Sequence, residues 1–132
     1  MKKDDLLIIF NQLKTILKKY EPPLLAKTDY QTKYELEFDK DYQTKSLRTG
    51  KVAKKHGLYF AAIIVQSGYV GLYFMPIYSH KEAFKNLSPG FMKLLKGKSC
   101  FHIKTLDQET ISEIKGMLDK GYQIYKNFNH FY

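Results

Sequence analysis

The sequence predicts an α+β fold in two layers, an antiparallel sheet with an N-terminal and a C-terminal helix packed on one of its faces. Three observations lead there. Apolar residues recur at helical spacing near both ends of the chain, a strict two-residue alternation runs through "DYQTKYELEFDK", and two apolar runs meet at Gly68 in "LYFAAIIVQSGYVGLYFMP".

The first helix is expected over residues 3–20, where Leu6, Ile9, Phe10, Leu13, Ile16, Leu17 and Tyr20 make one wide stripe and Pro22 and Pro23 end it. Next, Tyr30, Thr32, Tyr34, Leu36 and Phe38 alternate with Gln31, Lys33, Glu35, Glu37 and Asp39, which predicts a strand with one wet face, close to a sheet edge. Residues 40–57 are polar and basic without a period, so a loop is expected, with at most a short strand around Val52.

The hairpin is read with a three-residue loop, Gln66, Ser67 and Gly68, the glycine taking the left-handed position. Val65 then faces Tyr69. Leu58, Phe60, Ala62, Ile64, Val70, Leu72 and Phe74 fall on a purely apolar face, and Tyr59, Ala61, Ile63, Val65, Tyr69, Gly71, Tyr73 and Met75 fall on the other. A two-residue loop would mix these sets, which is the reason for preferring the longer one. Beyond Pro76, "YSHKEAFKNL" reads as a loop with one helical turn. "SPGFMKLLKG" carries the punctuation of a short helix, with Ser88 as N-cap, Pro89 at the first position and Gly97 past the end. "SCFHIK" is a short strand. Thr105 or Asp107 caps the last helix, whose stripe is Ile111, Ile114, Leu118, Tyr122 and Tyr125.

A chain of 132 residues suits one domain, here residues 1–132. Its single cysteine allows no internal disulfide, "MKKDDLLIIF" does not read as a signal peptide, and no stretch approaches a membrane span, so a cytoplasmic location is expected. The 22 basic and 13 acidic residues give a net charge of +9. Between residues 42 and 106 the only acid is Glu82, against eleven lysines and arginines. That field favours anionic partners, or serves solubility alone.

The chain's one cysteine lies two residues from a histidine. Phe101 and Ile103 belong in the core, which turns Cys100, His102 and Lys104 toward the face that carries Tyr59, Tyr69 and Tyr73. With Ala61 and Gly71 between them, the phenols, imidazole and thiol are candidates to line a ligand-binding hollow. The same residues serve equally as ordinary half-buried sheet positions. As a zinc site they supply two ligands with no spacing that adds two more, and as a cysteine nucleophile they lack an orienting group. No cofactor, metal or catalytic constellation is therefore expected. Because the hairpin is apolar on both sides, its tyrosine face is expected to be covered by a second copy of the chain, by the basic loop 45–56, or by a small anionic or aromatic ligand. "SGYVGLYF" half matches an RNA-recognition strand, but it lacks the initial basic residue and has Gly71 where a stacking aromatic belongs. With a single arginine besides, the sequence argues against nucleic acid as a partner.

Taken together, "LYFAAIIVQSGYVGLYFMPIY", "LLKGKSCFHIKTLD" and a helix reaching "GYQIYK" resemble the YdhG-like family of small bacterial domains of unknown function, over residues 58–126. The resemblance implies a compact intracellular α+β domain and no established activity. Part of that family is linked to frataxin-like iron handling, in which an acidic helix and sheet edge attract the metal. The matching helix here offers Asp4 and Asp5 against Lys2, Lys3, Lys14, Lys18 and Lys19. The function expected is thus a non-catalytic binding module. A metal chaperone is the alternative, and a nucleic-acid-binding domain or an enzyme comes third.

Overall fold

A computed structural model describes residues 2–131. The first helix, α1 (Lys3–Leu17), buries Leu6, Ile9, Phe10, Leu13 and Leu17, the stripe its periodicity requires, and carries Asp4 and Asp5 in its first turn, where the helix dipole favours acids. A 3-10 turn (Lys18–Tyr20) follows and buries Tyr20. Four strands come next: β1 (Leu25–Asp29), β2 (Lys33–Lys45), β3 (Val52–Gln66) and β4 (Tyr69–Phe74). Helix α2 (Met75–Ser79), a second 3-10 turn (Lys81–Phe84) and helix α3 (Pro89–Met92) lead to β5 (Leu95–Lys96) and β6 (Cys100–Ile103). The chain ends in α4 (Gln108–Lys126) and β7 (His130–Phe131).

The strands are ordered β1-β2-β3-β4-β6-β5, every neighbouring pair antiparallel, and β7 joins β2 in parallel. One face carries the core. Tyr34, Leu36 and Phe38 of β2, Phe60 of β3, Leu72 and Phe74 of β4, and Phe101 and Ile103 of β6 are all buried there with Leu13, Ile114, Leu118 and Tyr125 of the long helices. Helix α4 comes so close to the sheet that a methyl group on Gly121 would lie 2.4 Å from Phe74 Cζ. Polar ends of buried rings are satisfied at the rim: the Tyr20 hydroxyl donates to Asp119 and the Tyr34 hydroxyl to Glu21. Both caps expected for the later helices form, Ser88 Oγ accepting from Phe91 N at 3.3 Å and Asp107 Oδ1 from Thr110 N at 2.7 Å. Among the described residues no helix is long and apolar enough to cross a membrane.

Three sequence expectations are corrected. The hairpin loop has two residues, Ser67 and Gly68, so that Val65 pairs with Val70 and Gln66 with Tyr69; Gly68 does take the left-handed conformation, at φ +85°. The faces still segregate because β3 contains a bulge: Leu36 pairs with Ala61 and Glu37 with Tyr59, leaving Phe60 as the extra residue. Parity changes at that point. Leu58 and Phe60 face the helices on one side of the bulge and Ala61 and Ile63 on the other, which turns Ala62 and Ile64 outward.

The second correction concerns residues 40–57, which are no loop. β2 continues to Lys45 and pairs with β3 from Asp41↔His56 to Lys45↔Val52, with only residues 46–51 left as a turn. Beyond Tyr42, which packs against the core, the ribbon buries no apolar residue, and no hydrophobic period marks it. Third, the alternation in "DYQTKYELEFDK" starts too early: residues 30–32 link β1 to β2 and Tyr30 is 68% exposed, while β2 does lie close to the edge, next to β1, whose short segment "LAKTD" offers too little alternation to be recognised.

Candidate functional site

Cross-strand pairing builds the outer face of the sheet, the one away from the helices. Gly71 lies opposite His102, Tyr73 opposite Cys100, Ala62 opposite Tyr73 and Glu37 opposite Tyr59. Tyr59, Tyr69, Tyr73, Cys100 and His102 therefore share one face, as their alternation with core residues requires. Lys104 lies just beyond the end of β6 and is exposed.

Cys100 and His102 do not work as a pair. Each turns to a different residue of β4. His102 stacks on Tyr69, with ring centroids 3.8 Å apart and planes 12° from parallel. The ring of Tyr73 lies across Gly71 toward Cys100, so that a methyl group on Gly71 would sit 2.9 Å from Tyr73 Cε2 and 3.4 Å from Cys100 Sγ. Gln66 Nε2 donates to the Tyr73 hydroxyl at 3.2 Å and holds the ring down. The hollow expected around Ala61 and Gly71 is accordingly absent: Tyr73 fills the space over Gly71, and the bulge turns Ala61 into the core.

Burial dominates the electrostatics here. It pushes the Cys100 thiol above its ordinary range, opposed only by a hydrogen bond from Tyr73, and it raises Tyr73 and Tyr59 as well. For Tyr59 the Glu35 carboxylate adds to the effect. Cys100 Sγ finds only the Phe101 carbonyl, at 3.9 Å, as an acceptor. A protonated thiol with no base beside it is a poor nucleophile.

The tyrosine rings also close their own face. Ala62 beneath them is 1% exposed, and Tyr59, Tyr69, Tyr73, Cys100 and His102 are all half-buried. An external cover is not needed to hide apolar surface, and the basic segment 45–56 does not supply one, since every residue in it is exposed.

A groove of ≈1000 Å³ lies next door, between the segment 83–94, strands β5 and β6, and α4. Phe84, Phe91 and Met117 line its apolar part, Lys93, Lys96, Lys104 and Lys120 its basic part. Of its acids, Asp107 is engaged in capping α4 and Glu113 accepts from Ser88 N at 3.3 Å. His102 and Lys104 are the two sequence candidates that line this groove. Lys93 lies just past α3 and Lys96 three residues on in β5, while Lys120 comes from α4, and no spacing along the chain connects it to the other two.

No family model matches the chain, and no curated protein or solved structure matches it.

Among the described residues no three or more His, Cys, Asp or Glu side chains converge as a metal site would require. The nearest approach is at the base of the β2–β3 ribbon, where His56 Nδ1 and Nε2 contact Asp41 Oδ1 and Asp39 Oδ1, each at 2.7 Å. The carboxylates there lie on opposite sides of the imidazole, and Lys54 binds Asp41 at 3.1 Å, so no common point is left for a cation.

Proposed function

We propose that the protein is a non-catalytic binding module of the YdhG-like kind, and that it takes a small anionic ligand with an aromatic ring at the corner where the tyrosine face meets the groove. The kinship rests on the residues quoted above. The observation that carries the ligand reading is His102, stacked on Tyr69 on one side and lining the groove with Lys93, Lys96 and Lys104 on the other. Those three lysines have no ion-pair partner among the described residues, which leaves their ammonium groups available to an incoming carboxylate or phosphate. The paired rings of Tyr69 and His102 offer a flat surface for an aromatic ring to pack on. Groove volumes of this order suit small molecules.

The non-catalytic part of the reading rests on Cys100, whose raised thiol has no general base. The frataxin-like alternative needs clustered oxygen ligands, and no observation on either surface favours it. Calorimetry with adenosine 5′-monophosphate, which joins a ring to a phosphate, tests the proposal. Binding is expected that weakens as salt is added and falls roughly ten-fold or more in the Lys96→Ala, Lys104→Ala double variant. Binding that ignores both salt and the double substitution would overturn it, as would no binding at low salt.

A further inference from the structure

The outer part of the β2–β3 ribbon has no part in the proposed ligand site, and its chemistry is distinct. Residues 45–56 are all exposed and contain no acid, while Lys45, Arg48, Lys51, Lys54 and Lys55 supply five cations. Five cross-strand pairs, Asp41↔His56 through Lys45↔Val52, carry the ribbon about 17 Å outward from the rim of the core, where Tyr42 packs. Gln43 and Lys54 share one side of it and Tyr42 and Lys55 the other, so positive charge lies on both of its faces and around its tip.

The tip is held in shape. Ser46 N donates to Lys51 O at 2.9 Å, Gly50 N to Ser46 O at 2.8 Å and Thr49 N to Ser46 Oγ at 3.2 Å, with Gly50 at φ +71°. This turn presents Leu47, 105% exposed, beside Arg48, the only arginine of the chain. Parallel pairing of β7 with β2 at Gln43 and Thr44 braces the ribbon on one edge. Lysines alone would be accounted for as protection of the other edge against pairing with further strands. A fully exposed leucine at the apex works against that purpose.

We infer that the ribbon is a duplex-DNA-binding arm, its lysines and Arg48 contacting phosphates while Leu47 is directed at the base steps. A two-stranded ribbon can enter the minor groove of B-form DNA, the side from which an apolar tip such as Leu47 reaches the base steps. Apolar residues at the tips of DNA-binding elements wedge between base steps. Two exposed apolar residues, Leu47 and Val52, are too few to anchor the ribbon in a lipid surface. The missing stacking aromatic and the scarcity of arginine bear on base reading at a sheet face; phosphate contacts by a ribbon need neither.

Fluorescence anisotropy of the full chain with an end-labelled duplex of ~24 base pairs tests the inference. With Arg48, Lys51 and Lys55 in phosphate contact, and Lys54 held by Asp41, the logarithm of affinity is expected to fall against that of salt with a slope of about −3, so that affinity drops roughly 40-fold between about 50 and 200 mM salt. The Arg48→Glu, Lys51→Glu, Lys55→Glu variant should lose at least roughly 30-fold while its melting temperature stays that of the unmodified chain, because all three residues are exposed and their side chains have no ion-pair partner among the described residues. Leu47→Ala should keep most of the affinity but reduce DNA bending, read as energy transfer between dyes on the duplex ends. Equal binding by the triple variant would overturn the inference. So would binding to phosphatidylserine vesicles without binding to DNA, or a preference for single strands. The His102 corner is left intact by these substitutions, so the two proposals fail separately.

Discussion

The imidazole of His102 lies flat on the phenol of Tyr69, 3.8 Å between centroids, although the residue directly across the strands from His102 is Gly71. The stack is thus a diagonal contact that glycine permits, and it separates His102 from Cys100 more effectively than their spacing in sequence suggests. Removing the ring should show this. Tyr69→Ala is expected to shift the His102 ring protons by loss of the ring current and to cost about 1 kcal/mol in denaturant unfolding. Unmoved His102 resonances would mean that the stack does not persist in solution.

Two glycines of α4 should respond in opposite ways to the same change. Gly121 packs against Phe74 and Pro76 with no room for a methyl group, while a methyl on Gly116 meets nothing within 4 Å. Gly121→Ala should destabilise by about 2 kcal/mol through overpacking, in spite of the better helix propensity of alanine. Gly116→Ala should gain up to about 1 kcal/mol from that propensity. Thermal melts of the two variants compare them directly.

Cys100 should react slowly. Burial raises its thiol, and the Tyr73 ring stands over the approach. Alkylation by iodoacetamide at neutral pH is expected to run roughly ten-fold or more below that of a free thiol and to speed up in Tyr73→Ala. A rate equal to or above that of glutathione would contradict the burial assigned here.

The base of the ribbon should depend on pH. Asp41, and after it Asp39, hold His56 above the ordinary histidine value, and His56 in turn holds Asp41 below the ordinary carboxylate range. The contribution of His56 is therefore fully present below its unfolded-state value and is lost as pH rises through its raised folded-state value. That of Asp41 is present above its unfolded-state value and is lost as pH falls through the lowered one. Protection of the Tyr42 and Lys55 amides, taken relative to intrinsic exchange at each pH, should be greatest between these limits and smaller on either side, and Asp41→Asn should lower the His56 titration midpoint. An unshifted His56 in the unmodified chain would show that the contacts are not kept in solution.

Where one face of an element is buried and the other is wet, the sequence was legible. Tyr34, Leu36 and Phe38 faced inward as their alternation required, as did Phe101 and Ile103, and the half-buried residues alternating with them, Glu35, Glu37, Cys100 and His102, marked the outer face correctly. The bulge at Phe60 was not legible, because residues 60–65 are apolar throughout and a change of parity leaves no polar side chain misplaced. The ribbon escaped for the opposite reason: apart from Tyr42, which packs against the core, residues 41–45 and 52–56 pair without a hydrophobic pattern. The groove behind His102 draws its lysines from three parts of the chain, Lys93 with Lys96, then Lys104, then Lys120, and tertiary packing brings the three parts together.

The claim that the His102 corner is a binding site is tested most directly by following the His102 ring and the Lys96 and Lys104 amides by NMR while adenosine 5′-monophosphate is added at low and at high salt. The account predicts saturable shifts at His102, Tyr69 and Lys104 that shrink as salt rises, with the Cys100 signals little changed. Shifts that leave these residues still, or that fall instead on the far side of the sheet, would contradict it.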